Sequence, residues 1–468
     1  MEHKTLYWLR RDLRIQDNPC LSHLEKNKSS ALFVYIYDSL EKEATGEAGK
    51  WWLQNSLLKL QHTLKEKLNI NLIVITEEAN LAIKNLVKKY SINEVIWNRL
   101  YSPKSIKRDS ALKKSLQDIN IEVQTFNGHL LNEPWEVQNN SGQYFKVFTP
   151  YWRKAYEVYQ SKKYQIKDIN HIKPLKHQEK FAWNFLPPKK WYLKFENYWT
   201  PGEDAALLKL AKYIDDDIDN YKEGRDRPDL DQTSKLSPHL RFGEISPRKI
   251  VDQIVKSKKQ NDSVKTFLSE IGWREFSYSL LYYSKDLAND PINEKFKKFP
   301  WRKGEKDYRL WKNAKTGIPL IDAAMKQIYE KGWMHNRLRM VVGSFLVKNL
   351  LLNWTMGERY FHETLLDYDE ASNAAGWQWI AGCGADASPY FRVFNPILQS
   401  ERFDPQAKFI LKYLPQLQNL KKPSLIFQPH LEENFLKVLI QQKEYTYPIV
   451  DLKDSRNRAL EAYQKIKT

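Results

Sequence analysis

The chain has 468 residues, enough for two or more domains with full cores, and its 75 Lys and Arg against 57 Asp and Glu give a formal net charge of +18, which favours a polyanionic partner. The chain has only two cysteines, Cys20 and Cys383, which excludes a disulfide framework and a four-cysteine iron–sulfur site and favours a reducing compartment. The N-terminus has no apolar signal core and no segment has about 18 uninterrupted apolar residues, so we expect a cytoplasmic protein rather than a secreted or membrane-inserted one.

The first 130 residues alternate between short apolar runs and longer amphipathic segments. Segments 50–68 and 102–117 predict helices. The apolar runs predict strands at 5–9, 31–37, 71–76, 93–97 and 121–126. Alternation of strands and helices indicates a parallel sheet with crossover helices, so we predict a Rossmann-like α/β domain over 1–130. No G-x-G-x-x-G motif follows the first strand, which disfavours dinucleotide binding at that turn.

A connector rich in Pro, Lys and aromatic residues follows over 131–200. From residue 201 onward, apolar positions recur at three- and four-residue spacing and few β-rich runs occur, so 201–468 predicts a large all-α domain. The 10 histidines form no paired zinc motif, and we predict no metal site.

Hydroxyl side chains cluster in TSKLS (233–237), just before a predicted helix. Thr233, Ser234 and Ser237, with the backbone N–H groups of a helix start, can cradle a pyrophosphate. Lys235 and Leu236 complete the element. A plain capped helix explains the same pattern and is the alternative.

Glu270 and Trp273 stand three residues apart in FLSEIGWREF (267–276), so they share one face of a helix. An acid beside an indole at a pocket rim suits a flipped base, which must be stacked and also hydrogen-bonded at its edge. The alternative is a core tryptophan beside an exposed glutamate.

Apolar residues recur through 332–354, which predicts one helix of more than about five turns. The polar exceptions Asn336, Arg337 and Arg339 stand where this helix should meet a ligand. Asn336 and Met340 are four residues apart and share a face, where a neutral amide and a thioether suit an uncharged ligand.

Four long segments carry a family resemblance: YWLRRDLRIQDNPCL (7–21), GWMHNRLRM (332–340), NWTMGERYF (353–361) and DYDEASNAAGWQW (367–379). On these motifs the chain resembles the DNA photolyase and cryptochrome family over essentially its whole length, and is most similar to a class I photolyase. The resemblance implies that FAD binds in the helical domain, with its diphosphate on the TSKLS element and on Tyr221.

The resemblance also assigns a carboxylate pair and an amide to the flavin. Asp367 and Asp369 match family carboxylates near the flavin, and Arg339 is the expected ionic partner of Asp367, because a carboxylate buried without a cation is very costly. Asn373 matches the asparagine beside the flavin N5. An amide cannot release a proton there, so it favours the fully reduced, anionic flavin, whereas plant cryptochromes carry an aspartate. Residues 382–387 predict only a Gly-rich turn.

The resemblance implies that the partner is UV-damaged DNA. The predicted contacts with the lesion and the duplex are Arg225, Glu270, Trp273, Asn336, Arg337, Met340 and Trp379. Photolyases specific for (6-4) photoproducts present a pair of histidines to their lesion. His335 stands alone in this chain, so repair of (6-4) photoproducts is disfavoured.

Three of the 16 tryptophans lie in or near the family's motifs. The resemblance implies that Trp377, Trp354 and Trp301 conduct electrons, with Trp377 nearest the flavin and Trp301 at the surface. Trp354 is expected at the end of the long helix over 332–354. Trp311 is expected to be a packing residue.

We therefore predict a monomeric, cytoplasmic class I photolyase that repairs cyclobutane pyrimidine dimers by electron transfer from reduced FAD to a flipped-out dimer. The alternatives are a cryptochrome-type photoreceptor, a (6-4) photolyase and a plain basic DNA-binding protein. Asn373 opposes the cryptochrome, as does the end of the chain at Thr468. The second, antenna chromophore is left open as folate, deazaflavin, flavin or none, because Ser105 stands where folate-binding members place a glutamate.

Overall fold

The computed structural model describes residues 3–166, 169–177, 179, 183–257, 261–387 and 391–467. Within these residues, six strands form one parallel sheet in the order β3-β2-β1-β4-β5, and β6 pairs with β2. The strands are β1 (Lys4–Leu9), β2 (Ser30–Ile36), β3 (Leu72–Ile75), β4 (Glu94–Asn98), β5 (Glu122–Phe126) and β6 (Lys173–Pro174).

All five predicted strands form, each within one residue of its predicted limits, and the predicted α/β class of the N-terminal region is confirmed. Apolar runs without alternation marked them because both faces of a parallel sheet are covered by helices. The sixth strand was not predicted, since a two-residue strand has no periodicity to detect. It lies in the connector 131–200, and the domain limits themselves stay a prediction.

The described part of the chain forms twenty-one α-helices. Those before residue 260 are α1 (Pro19–Asn27), α2 (Ser39–Glu43), α3 (Glu47–Leu68), α4 (Ala79–Tyr90), α5 (Pro103–Gln117), α6 (Phe148–Ser161), α7 (Glu203–Asp216), α8 (Tyr221–Gly224), α9 (Ser237–Phe242) and α10 (Pro247–Ser257). The later ones are α11 (Asp262–Tyr283), α12 (Glu305–Lys312), α13 (Pro319–Lys331), α14 (Asn336–Ser344), α15 (Trp354–Thr364), α16 (Glu370–Ala381), α17 (Pro396–Phe403), α18 (Lys408–Tyr413), α19 (Pro423–Phe427), α20 (Glu433–Gln441) and α21 (Leu452–Gln464). None of the helices in the described ranges has the length and apolar character to cross a membrane.

The sheet and the helical region pack into each other. Trp52 of α3 is fully buried, and its ring meets the rings of Trp199 at 5.8 Å and His239 at 5.0 Å. Gly243 follows α9 at φ +69°, and a Cβ there would lie 2.0 Å from the carbonyl oxygen of Arg11. A side chain at position 243 would therefore push the sheet away from the helices that carry the site.

The prediction of one long helix over 332–354 is wrong. Gly332 ends α13 at φ +61°, and His335 caps the start of α14. A π-helical turn follows at Phe345–Asn349, and Asn353 caps the start of α15. Caps and a π-turn interrupt the backbone without interrupting the apolar pattern, which explains why periodicity missed the break. Trp354 is consequently the first residue of α15 and does not end a long helix.

Candidate active site

The turn before α9 has the backbone shape of an anion site. Lys235 is left-handed at φ 51°, and Leu236 after it is right-handed, so successive N–H groups line a concavity of the kind that binds phosphate. The Ser234 Oγ accepts a hydrogen bond from the Leu236 N–H at 3.4 Å. The Thr233 and Ser237 hydroxyls bond no other described residue, and Ser237 is exposed at the first position of α9. Leu236 at the cap position contributes no side-chain bond. The segment is therefore a turn before α9, and its role as a pyrophosphate cradle stays a prediction.

The predicted ion pair between Arg339 and Asp367 is present. Arg339 Nη2 donates to both carboxylate oxygens, at 2.7 and 3.0 Å, and its Nε donates to the carbonyl of Met334. Asp367 is 7 % exposed, so this pairing is what makes its burial tolerable. The guanidinium therefore joins α14 to the segment between α15 and α16.

Asp369 fixes the start of α16. Its carboxylate accepts hydrogen bonds from the Ser372 N–H and from the Tyr278 hydroxyl. Burial opposes ionisation of Asp369, but Arg274 and the Tyr278 hydroxyl outweigh it and hold the pKa of this carboxyl below its usual value. The ionised carboxylate at the N-terminal end of α16 also complements the helix dipole.

Asn373 sits one turn into α16, with its amide oriented by a residue that the sequence did not indicate. Its Nδ2 donates to the Glu358 carboxylate at 3.0 Å and to the Glu358 carbonyl at 3.3 Å. The Tyr368 hydroxyl donates to the same carboxylate at 3.2 Å. The Asn373 Oδ1 is left as an acceptor with no hydrogen bond among the described residues. The signal available in the sequence was an acid, Glu358, four residues after Trp354 and therefore on the same helix face as that tryptophan.

The three predicted electron carriers lie in one region without direct ring contact to each other in the described part of the chain. Trp377 is buried, and a Cβ at Gly357 of α15 would lie 2.1 Å from its ring. Its ring neighbours are Phe361 at 5.0 Å and Trp311 at 6.5 Å. Electron transfer along these tryptophans therefore stays a prediction. Trp311 is a buried packing residue whose ring also neighbours that of Trp377.

Trp354 and Trp301 take different positions in the same core. Trp354 is 2 % exposed at the start of α15, whereas Trp301 is half-buried. The Trp301 ring lies 4.3 Å from the ring of Phe299. Trp301 thus stands nearer the solvent than Trp354 and Trp377, as expected of the outermost member of the predicted wire.

Two predicted lesion residues contact each other: Arg225, directly after α8, and Glu270 of α11. Arg225 pairs with Glu270 at 2.6 Å, and its guanidinium lies 5.6 Å from the ring of Tyr221. Burial raises the pKa of Glu270 above its usual range, although Arg225 opposes this. Trp273 is half-buried and stacks on Phe148 of α6, with ring centroids 3.8 Å apart and planes within 8°. Phe148 therefore covers one face of the Trp273 indole.

The remaining predicted contacts surround the start of α14. Asn336 is exposed and Met340 is half-buried one turn later on the same face. Arg337 pairs with Asp226 at 2.7 Å, and its guanidinium lies 4.5 Å from the ring of Phe403. Trp379 is half-buried, and its Nε1 donates to the carbonyl of Asp386 at 3.2 Å.

The point where the strand order reverses, between β1 and β4, is the usual ligand crevice of such a sheet. Here Arg10 occupies it, 4.7 Å from the ring of Trp8 and paired with Asp109 of α5. Ser105 is buried one turn earlier on α5, where its hydroxyl bonds the capping Ser102 at 3.0 Å. Ser105 is thus part of a helix cap, and the antenna chromophore stays a prediction.

The sequence matches two family models. The model described as the FAD binding domain of DNA photolyase matches residues 267–465, and the one described as DNA photolyase matches residues 5–171. The first covers most of α11 and all of α12 to α21, including the ion pair, Asn373 and the three tryptophans, and the second covers the five predicted strands.

Three similar proteins span nearly the whole chain. A deoxyribodipyrimidine photo-lyase of Agrobacterium fabrum is 40% identical, covering 99% of this chain and 98% of the relative. Cryptochrome-1 of Arabidopsis thaliana is 32% identical, covering 99% of this chain and 70% of the relative. The crystal structure of a bacterial class III photolyase from Agrobacterium tumefaciens superimposes with a TM-score of 0.93 at 38% identity, covering 100% and 98% of the two chains. On these matches, the chain belongs to the DNA photolyase and cryptochrome family.

Proposed function

We propose that this chain is a light-driven DNA repair enzyme that splits cyclobutane pyrimidine dimers with FAD as its cofactor. The observation that carries the proposal is the amide of Asn373, held by Glu358 so that an acceptor oxygen is left over. Relatives that align along the whole chain bear the name deoxyribodipyrimidine photo-lyase. The names of these relatives and the hydrogen bonds of Asn373 support the same reaction.

The residues fit FAD at both of its ends. The left-handed turn at Lys235 and the open hydroxyls of Thr233 and Ser237 suit the diphosphate, and the resemblance adds Tyr221 to this group. The Arg339–Asp367 pair, Asp369 and Asn373 offer donors and acceptors to the flavin ring. When bound, FAD supplies the light absorption and the electron for dimer splitting, which no side chain of this site provides.

The residues around the cofactor have complementary tasks. The Asn373 Oδ1 can accept a hydrogen bond from an N–H group, and the amide cannot release a proton. It therefore favours a reduced flavin ring that carries an N–H beside it. Trp377 and its ring neighbours exclude water from that side of α16. Asp369 keeps α16 in register, because it caps the helix one turn before Asn373.

The lesion would enter against α11 and α14. Trp273 would stack on the base with the face opposite Phe148, and Glu270, held by Arg225, offers an acceptor to the edge of a flipped base. Asn336 and Met340 present neutral groups on one face of α14. Affinity for the duplex itself is expected from Lys and Arg on phosphates, consistent with the net charge of +18.

One alternative function is supported by the name of a relative. A cryptochrome-type photoreceptor is supported by the relative named Cryptochrome-1, but the resemblance implies an aspartate in plant cryptochromes at the position of Asn373. The class I likeness stays a prediction, since the superimposed crystal structure is that of a class III photolyase. The monomeric state and the cytoplasmic location likewise stay predictions.

The deciding experiment is illumination of the reduced, FAD-loaded protein with two oligonucleotides, one carrying a cyclobutane dimer and one a (6-4) photoproduct. Chromatography should show restoration of the first and not of the second, because the face of Asn336 and Met340 has no histidine pair for proton transfer. Restoration of neither oligonucleotide would favour the photoreceptor. Efficient repair of the (6-4) photoproduct would refute the assigned substrate.

A further inference from the structure

A cavity of about 340 Å³ borders the Thr233–Lys235 turn. Its walls are the segment before that turn, the C-terminal end of α13, and α18. The cavity shares only Thr233 and Lys235 with the predicted FAD site, and Ser237, Arg339 and Asn373 do not line it. Its volume falls in the range of roughly 300–1,000 Å³ that is typical of small-molecule sites.

Ammonium groups crowd this cleft. Lys331, Lys408, Lys412 and Lys235 line it. Two carboxylates line it as well, and each already has a cation: Asp231 pairs with Lys235, and Asp229 pairs with Arg227. The other three lysines form no salt bridge within the described ranges. Burial, together with the neighbouring Lys412 and Lys235, lowers the pKa of Lys331, so these cations are close enough to repel each other. A bound anion would relieve that repulsion.

A buried donor points to the same kind of ligand. The Nδ1 of His335 accepts a hydrogen bond from the Arg337 N–H at 3.2 Å. Burial lowers the pKa of His335 to about 4, so the ring is neutral at pH 7 and its proton is on Nε2. That Nε2 is buried without a partner among the described residues, and His335 lines the cleft. A buried donor without an acceptor is unusual in a folded protein.

Aromatic rings complete the lining. Tyr198 is 41 % exposed, and Trp199, Phe409 and Tyr413 line the cavity beside it. The Lys331 ammonium lies 4.7 Å from the Tyr198 ring. The Tyr198 hydroxyl donates to Glu330, which fixes the ring in place. Cations beside a partly exposed aromatic ring suit a ligand that has both an anionic group and a planar ring.

We propose that this cleft binds a nucleotide, with its phosphates on Lys331, Lys408 and Lys412 and its base against Tyr198. The site is additional to the proposed repair function, because it uses neither the lesion residues nor the flavin carboxylates. A nucleoside diphosphate carries enough negative charge to match three unpaired ammonium groups. The cavity is concave and reaches a buried histidine, which the backbone of a rigid duplex would not contact.

The test is calorimetric titration of the FAD-loaded protein with ADP, so that the flavin site is already filled. One ADP should bind per chain. The double variant Lys331→Gln/Lys412→Gln should weaken ADP binding at least tenfold while the flavin absorbance stays unchanged. The control Lys88→Gln/Lys114→Gln removes the same charge from the exposed faces of α4 and α5, and should leave ADP binding unchanged.

Four outcomes would overturn the proposal. They are no ADP binding, an equal loss in the control variant, inorganic pyrophosphate binding as tightly as ADP, and displacement of ADP by an undamaged duplex whose own affinity falls equally in the double variant. The third would mean a site for anions alone. The fourth would mean that these lysines contact the DNA backbone.

Discussion

Trp273 offers the sharpest test of the lesion site, because one face of its ring is already occupied. Phe148 covers that face at a centroid distance of 3.8 Å. The Phe276 ring also lies 5.8 Å away at 72°. A flipped base would have to stack on the face opposite Phe148, so Trp273→Ala should remove one stacking contact. Such a contact is worth about 1–3 kcal/mol, which corresponds to a loss of roughly 5- to 150-fold in affinity for dimer-containing DNA.

The same substitution also removes an internal stacked pair, worth about 0.5–1.5 kcal/mol to the fold. Trp191→Ala is a matched control, since Trp191 is also half-buried and stacks on Tyr329 at 5.6 Å with planes within 13°. The control should lose a comparable amount of stability, measured by denaturant unfolding, and none of the affinity for damaged DNA.

The assay is titration of damaged and undamaged duplexes at several salt concentrations. Trp273→Ala should reduce only the preference for the damaged duplex and leave the salt dependence unchanged, because the indole neutralises no phosphate. Equal weakening of both duplexes, or a change in the salt slope, would show that Trp273 is a core or backbone-contacting residue and not a lesion contact.

Three further predictions concern Trp377, Gly357 and His335. Trp377→Phe should abolish or severely slow photoreduction of oxidised flavin, followed by absorbance, while repair by chemically reduced protein survives; equal loss of both in a folded variant would contradict its role. Gly357→Ala should cost about 1–3 kcal/mol in denaturant unfolding because its Cβ would meet Trp377 at 2.1 Å, whereas the control Gly49→Ala, whose nearest neighbour is a methyl group at 3.2 Å, should cost little. The pKa of His335 is lowered to about 4, so the folded state resists a proton that the unfolded chain accepts below about pH 6.5, and the unfolding free energy should fall by up to about 3 kcal/mol between pH 6.5 and 4. His335→Asn retains a capping acceptor and should flatten that slope; an unchanged slope would assign it to other groups.

The fold class and part of the site followed from the sequence, because both depend on local or pairwise rules. Apolar runs predicted the five strands β1 to β5, since a strand covered on both faces must be apolar throughout. The Arg339–Asp367 pair was predictable because a buried carboxylate needs a cation. The phosphate role of Thr233 and Ser237 stays a prediction, because hydroxyls before a helix suit phosphate but also fit a plain capped helix.

Only the tertiary structure decided which groups meet across helices. Glu358 orients Asn373, and Arg225 pairs with Glu270, although neither pair is close in sequence. The break between α14 and α15 depends on capping and a π-turn, which leave the apolar period intact. The lysine-lined cleft unites α13, α18 and the turn before α9, so it exists only after long-range packing has brought these elements together. Sequence patterns describe what one element needs, whereas packing selects the partner that supplies it.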